Sequence, residues 1–320
     1  MSLSPRSLLQ VVDDYQQRHR PLAFPFAVLR KFNDDQAGNL AALIAYYAFV
    51  SVFPMLLLLV TVLGILLRGD PSMQQKVLNS ALSDFPVIGQ QLHSNIHSLN
   101  RTGAGLVVGI FGTLFGARGV ARALQNAMNT VWEVPRYERP GFPVSYVRDF
   151  AVVGVLGLGV LGTTLLSGLG TLAGGVLGGI LATAASLVVN MGLFLLGLRA
   201  ATAASVTWRN LRVGAALSAI VWQILQTFGV YFVTHSLRHA STLYGVFGVV
   251  LGLIAWFYLQ ARLTLYVVEA DVVRIRKLWP RSMFPPPYTE KDHEAYKHYA
   301  KANQRTPPVK AASQGLEIRD

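Results

Sequence analysis

The chain alternates long uncharged runs with short basic connections, and the runs define its elements. The longest is Phe150 to Leu198, 49 residues without Asp, Glu, Lys, Arg or His. A helix crosses a bilayer's hydrocarbon core with about 20 apolar residues, so this run holds two spans and a reversal. The reversal falls in SGLGTLAGGVLGG, Ser167 to Gly179, where glycine permits the backbone angles of a tight turn. Phe150–Gly170 and Gly174–Leu198 are therefore predicted as spans three and four. Span one lies in the uncharged run Gln36–Leu67 and contains Pro54. A proline there frees the carbonyl of Val50 and is expected to kink the helix, with Ser51 near enough to help satisfy the freed group. Thr102–Ala117 is a short second span, with Arg118 and Arg122 continuing the helix and snorkelling to the headgroups. Its Gly105, Gly109, Gly112 and Gly116 share one face, an array that lets helices approach closely in lipid. Span five lies between Arg212 and Arg238, and span six runs from Tyr244 to Val268.

Outside the spans the pattern turns amphipathic. Leu8, Val11, Val12 and Tyr15 share a helical face bordered by Arg6, Arg18, His19 and Arg20. This fits either a helix lying on an anionic membrane surface or one docked on the protein's own cytoplasmic side. Residues 68–101 carry two apolar stripes, Val77–Phe85 and Ile88–Leu99, expected at the outer interface. The division predicted is a cytoplasmic amphipathic segment, 1–35, a six-span membrane domain, 36–272, and a basic cytoplasmic tail, 273–320, largely without fixed structure.

Composition agrees with a polytopic all-α bundle. The 320 residues are 52% hydrophobic and only 14% charged, with mean hydropathy +0.41; soluble domains carry about 25% charged residues. With no cysteine there are no disulfides or thiolate metal sites. Met1–Gln36 is polar and does not read as a signal peptide, so the first apolar run is expected to remain as an anchor. Charge placement gives orientation. Under the six-span reading, 23 Lys and Arg lie on the side of the termini, four on the other, and Arg262 within span six. The positive-inside rule then puts both termini in the cytoplasm.

Two blocks, AALIAYYAFVSVFPMLLLL in span one and YGVFGVVLGLIAWFYLQARLTLYVVEAD in span six, resemble the YihY/BrkB family of bacterial inner-membrane proteins. ALQNAMNTVWEVP and VTWRNLRVGAALSAIVWQILQTFGVYFV fall between them in the family's order, so the resemblance covers Phe32 to Arg276. The chain departs from the pattern near Ala204–Val206, where a proline is usual, and at Val267 and Val268, where Gly-Ala is usual. The resemblance implies about six spans and the inner membrane. It implies no settled activity: members have carried labels as a tRNA-processing ribonuclease and as virulence or serum-resistance factors.

The residues give the ribonuclease label no support. A nuclease needs an acid and a base, or metal-bound water, set together, and no such set is visible. His93 with His97 and His235 with His239 are i, i+4 pairs that zinc could use, but such pairs arise easily on wet helix faces, and no metal or cofactor is expected. Asp13, Asp14, Asp34 and Asp35 read as solvated helix-start charges. The stronger signal is polar residues within spans. Tyr258, Arg262, Tyr266 and Glu269 share one face of span six, and Asn190, Gln223 and Gln226 in spans four and five should face protein. With Glu269 at the inner interface, Arg262 would lie about 10 Å deeper, at 1.5 Å per residue, facing a polar cavity. These residues form a candidate site for an anionic lipid or amphiphile. The expected function is transport or flippase-like handling of such a molecule, the alternative a membrane scaffold or envelope-integrity protein. Membrane lipids are the expected partners and nucleic acid is not; a homo-oligomer stays open.

Topology can be tested directly. Reporters fused after Arg139, after Arg209 and at the C-terminus should read as cytoplasmic, and those near Gln90 and Arg238 as external. A periplasmic C-terminus would overturn the six-span arrangement.

Overall fold

The structure is a computed structural model that describes residues 5–66, 104–141, 143–155, 159, 175–203, 205–231 and 246–306. Among these the elements are helical, with no strand. In chain order they are α1 (Pro5–Arg18), α2 (Arg20–Asp34), α3 (Ala37–Leu66), α4 (Ala104–Val131), α5 (144–155), α6 (Gly175–Ala201), α7 (Trp208–Tyr231), α8 (Val246–Arg276) and α9 (Glu290–Ala302). Four of them, α3, α4, α6 and α8, are long and apolar enough to cross a membrane. The expected third span continues past 155, and the fifth past Tyr231, outside the described residues. The outer segment 68–101, most of the glycine-rich reversal and the four paired histidines also lie outside them.

The most extensive pairing joins α3 and α4, and small residues make it possible. Lipid gives helices no hydrophobic reason to associate, so close packing must hold them. Gly112, Gly116 and Gly119 face Pro54, Ser51 and Tyr47 in antiparallel register. A Cβ on Gly116 would stand 2.7 Å from Ser51 Cβ and 2.8 Å from its Cα, closer than real atoms come. Gly112 and Gly116 of the predicted glycine face are therefore used, and Gly119 extends it by one turn. α3 runs unbroken through Pro54, whose ring lies against Gly112. Ser51 does not serve Val50 as expected; its hydroxyl donates to the carbonyl of Ala48 at 2.7 Å.

The core continues this economy of side chain, with Ala37, Ala41, Ala121, Ala127, Ala201, Ala215 and Ala261 packed among Met128, Leu211, Leu265 and Val272. α7 and α8 run antiparallel. Gly229 abuts Trp256, and the Gly214 N–H donates to Asp271 Oδ2 at 3.0 Å, a distance that any larger residue at 214 would spoil. Two further departures from expectation concern charge. Arg118 and Arg122 do continue α4, but both bond Asp149 on α5, each at 3.2 Å, instead of simply snorkelling. The tail after Arg276 folds back: Leu278, Arg281 and Ser282 are buried, and Glu290–Ala302 is a helix opened by a Thr289/Asp292 capping box. Thr-x-x-Asp is a recognisable helix start, hidden here by its prolines and lysines.

At 1.5 Å per residue α8 is about 46 Å long, well beyond a hydrocarbon core of about 30 Å. By composition its candidate span reaches Arg276, but packing divides it. Gly38, in the first turn of α3, lies against the Tyr258 hydroxyl. Below that level α8 packs on α2: Phe32 stacks on Tyr266 at 3.8 Å between ring centres, and Ala27 and Val28 cover Val273. The last turns of α8 thus stand beside α2, past the start of the first uncharged run.

Valine at Gly116 should cost about 1–3 kcal/mol, the usual penalty of overpacking. Alanine at Gly154, where an added methyl would meet nothing within 4 Å, should be neutral. Thermal midpoints in detergent would show both; a fully stable Gly116→Val protein would contradict the described α3–α4 contact.

Candidate functional site

The helix ends at the base of the bundle are stitched by a buried group of charges. α2 ends in the sequence Lys31-Phe32-Asn33-Asp34, and its inward face carries Ala27, Val28, Lys31 and Phe32. Lys31 is completely buried, and its Nζ lies 2.5 Å from Asp35, 3.2 Å from Glu133 and 3.2 Å from Glu269. It also donates to the carbonyl of Val131 at 3.0 Å, capping the C-terminal end of α4. Glu133 follows that end in a left-handed backbone conformation, φ 51°, which turns the chain out of the helix. Arg276, at the end of α8, bonds Glu133 Oε2 and the carbonyl of Trp132. From α9 come the Tyr299 ring, 5.7 Å from Lys31 Nζ, and His298, 3.8 Å from Glu133. Burial alone would lower the Lys31 pKa, but Glu269, Asp35 and Glu133 together hold it well above the usual lysine value. Burial raises Asp35 above the ordinary carboxylate range despite Lys31 beside it.

A second buried assembly fastens both ends of the chain to α2. The Arg281 guanidinium, fully buried, reaches Asp292 Oδ1 and Asp34 Oδ2, each at 2.9 Å. Asp13 of α1 accepts from the Ser282 hydroxyl at 2.8 Å and from the Met283 N–H at 3.0 Å. Gln16 donates to the Arg281 carbonyl at 2.7 Å. α1 therefore docks through its polar face, leaving Val11, Val12 and Tyr15 exposed.

The residues singled out from sequence do not form one site. Tyr258, Arg262 and Tyr266 do come together. The Arg262 guanidinium lies 5.8, 5.8 and 5.6 Å from the ring centres of Phe32, Tyr258 and Tyr266, and donates to the Tyr266 hydroxyl at 3.4 Å. It is exposed, instead of facing an enclosed cavity. Along α8 it stands between the levels of Gly38 and Phe32. Glu269 faces the other way, into the Lys31 group. Asn190 is buried on α6, which packs chiefly on α7 and α4; Gln223 is half-buried and Gln226 exposed on α7. Asp13 and Asp35, read as solvated, are buried. Sequence reasoning also passes over Lys31, Glu133 and Arg281. The only local signal for the first is its i, i+4 spacing from Asp35.

A family model, Virulence factor BrkB, matches residues 28–282. The chain belongs to the BrkB family. The match spans every residue of the Lys31 group except the α9 contacts. Among curated proteins, the inner membrane protein YhjD of Escherichia coli (strain K12) is 25% identical over 281 residues, 78% of this chain and 80% of that one. An uncharacterized protein of Dickeya dadantii (strain 3937), Dda3937_02003, is 25% identical over 261 residues, 74% and 78% of the two chains. No solved structure matches. Like the rest of what this BrkB relationship carries, the location follows: a multi-pass protein of the bacterial inner membrane.

The dock at Arg281 should be acid-labile. Burial would raise Asp13 and Asp292, but the N–H and O–H donors around them hold both below the ordinary 3.8. Carboxylates depressed in the fold stabilise it above their unfolded value and lose that contribution as pH falls through the folded one. Hydrogen exchange at 281–295 should stay slow from pH 7 to 5 and accelerate below about 3.8; protection unchanged at pH 3 would contradict these bonds.

Proposed function

We propose that this BrkB-family protein handles an anionic lipid or amphiphile in the inner membrane, as a transporter or flippase-like protein, without catalytic chemistry of its own. The observation that carries this reading is Arg262. Arginine keeps its charge in proteins. Arg118, Arg122, Arg276 and Arg281 each have a carboxylate partner within 4.0 Å, whereas Arg262 has none among the described residues. Three aromatic rings frame it on the exposed side of α8, with Leu259 exposed one turn away on the same helix. A phosphate or carboxylate headgroup would supply the missing countercharge, and the rings would pack the adjoining apolar chain. Nucleic acid is not part of this reading.

The alternative, a scaffold that moves nothing, draws on the buried charge group, which ties α2, α4, α8 and α9 at one end. Reconstitution separates the two. Purified protein in liposomes should bind an anionic lipid and move it between leaflets. Arg262→Gln should weaken binding on the order of 10- to 100-fold, the worth of a hydrogen bond to a charged group. Binding without movement would favour the scaffold; binding unaffected by Arg262→Gln would remove Arg262 from the site, and RNA cleavage that vanishes on mutating the chain's own residue would overturn the non-enzymatic reading.

A further inference from the structure

The Lys31 group contains more carboxylates than cations. Lys31 and Arg276 face Asp35, Glu133 and Glu269, and Arg276 reaches only Glu133. Asp35, Glu133 and Glu269 are all more than nine-tenths buried. If every group were ionised, one negative charge would stand uncompensated away from water, and buried groups in that position take up a proton. The geometry shows where. Among the described residues Glu133 has one oxygen without a hydrogen-bond partner, Oε1, and Glu269 has both, although Glu133 Oε1 and Glu269 Oε2 are each 3.2 Å from Lys31 Nζ. The Asp35 and Glu269 carboxyls converge on the same Lys31 Nζ, at 2.5 and 3.2 Å, and so stand side by side. Two acceptors face each other, and a proton between them supplies the absent donor.

A route to this position is also present. A cavity of about 410 Å³ is walled by the end of α4, by Ile275 and Arg276, and by His298 and Lys301 of α9. Glu133 stands between the cavity and the buried group. Its Oε1 is 3.2 Å from Lys31 Nζ, while Oε2 faces Arg276 and His298.

We propose that the group is a proton-binding site, in which one proton is shared by Asp35 and Glu269 and exchanges with the cytoplasmic cavity through Glu133 and Lys31. A proton from cavity water or His298 adds to the Glu133 carboxylate. Lys31 gives one N–H proton to Glu269 as it takes one from Glu133, so the ammonium is restored and Glu133 is again a carboxylate. Burial and the neighbouring Arg276 hold His298 below its ordinary value, leaving the neutral imidazole a relay requires. The titratable groups facing the site are Lys31 from α2, Asp35 from the turn, Glu133 from the end of α4, Glu269 and Arg276 from α8, and His298 and Tyr299 from α9. Burial keeps the Tyr299 hydroxyl protonated, and Asp34 nearby is held by Arg281. This proposal rests on the buried group alone and stands or falls separately from the reading of Arg262.

Infrared spectroscopy of the whole protein in liposomes tests it. At pH 7 the wild type should show the carbonyl band of a protonated carboxylic acid, shifted in heavy water. Glu269→Gln and Asp35→Asn should each remove that band. Glutamine mimics a protonated glutamic acid, so Glu269→Gln should leave the thermal midpoint near that of the wild type, whereas Glu133→Gln, which removes an ionised partner, should lower it clearly. Absence of the band in the wild type at pH 7 would overturn the proposal without any variant. So would a band that survives both substitutions, or Glu269→Gln and Glu133→Gln proteins equally destabilised.

Discussion

A lysine ammonium removed from water is the condition on which the base of this bundle depends. Burying such an ion costs several kcal/mol even after the protein relaxes. Lys31 offsets that cost only because separate segments bring acceptors to it at once: Asp35 from the turn before α3, Val131 and Glu133 from the end of α4, and Glu269 from α8. Each of those segments is a place where a long helix stops or changes role. The cation therefore fixes the relative height of α2, α3, α4 and α8, and withdrawal of Lys31 would leave the carboxylates too strongly charged for their surroundings.

Above this base a different constraint applies. Within lipid the helices gain nothing from hiding apolar surface, and the chain uses glycine and alanine to bring backbones together. α3 and α4 meet through Gly112, Gly116 and Gly119, while α7 and α8 meet through Gly214 and Gly229. Large apolar side chains such as Phe111, Phe115, Val188 and Phe247 stay on the outside, where acyl chains cover them. Charge organises the end that meets water, and small size organises the part that does not.

This division explains what can be read from the sequence. Uncharged runs mark α3, α6 and α8 because a hydrocarbon layer demands them locally, and the glycine face of α4 is visible for the same reason. Arg262 with Tyr258 and Tyr266 is legible as one helical face. The Lys31 group is not, because Lys31, Glu133 and Glu269 each look like an ordinary charge near a helix end, and their meeting depends on contacts across 100 or more residues. The partners of Glu269 are hidden as well. In sequence Glu269 shares the face of Arg262, whereas in the structure it turns into the Lys31 group beside α2. The fold of the tail stays hidden because its prolines and lysines suggest solvation, while Arg281 and Asp292 are partners for α2 and α1.

The bond between Asp13 and Ser282 joins residues 269 positions apart. A ribosome adding about 5–20 residues each second needs roughly 15–50 s to cover that distance. Through most of that interval α1 and α2 are already outside the ribosome, with Asp13 lacking Ser282 and Asp34 lacking Arg281. The first helices made are thus among the last to reach their final contacts, and they wait at the membrane face while every span between them and Arg281 is inserted. Synthesis of Arg281 and Ser282, and not the emergence of α1, closes this end of the molecule.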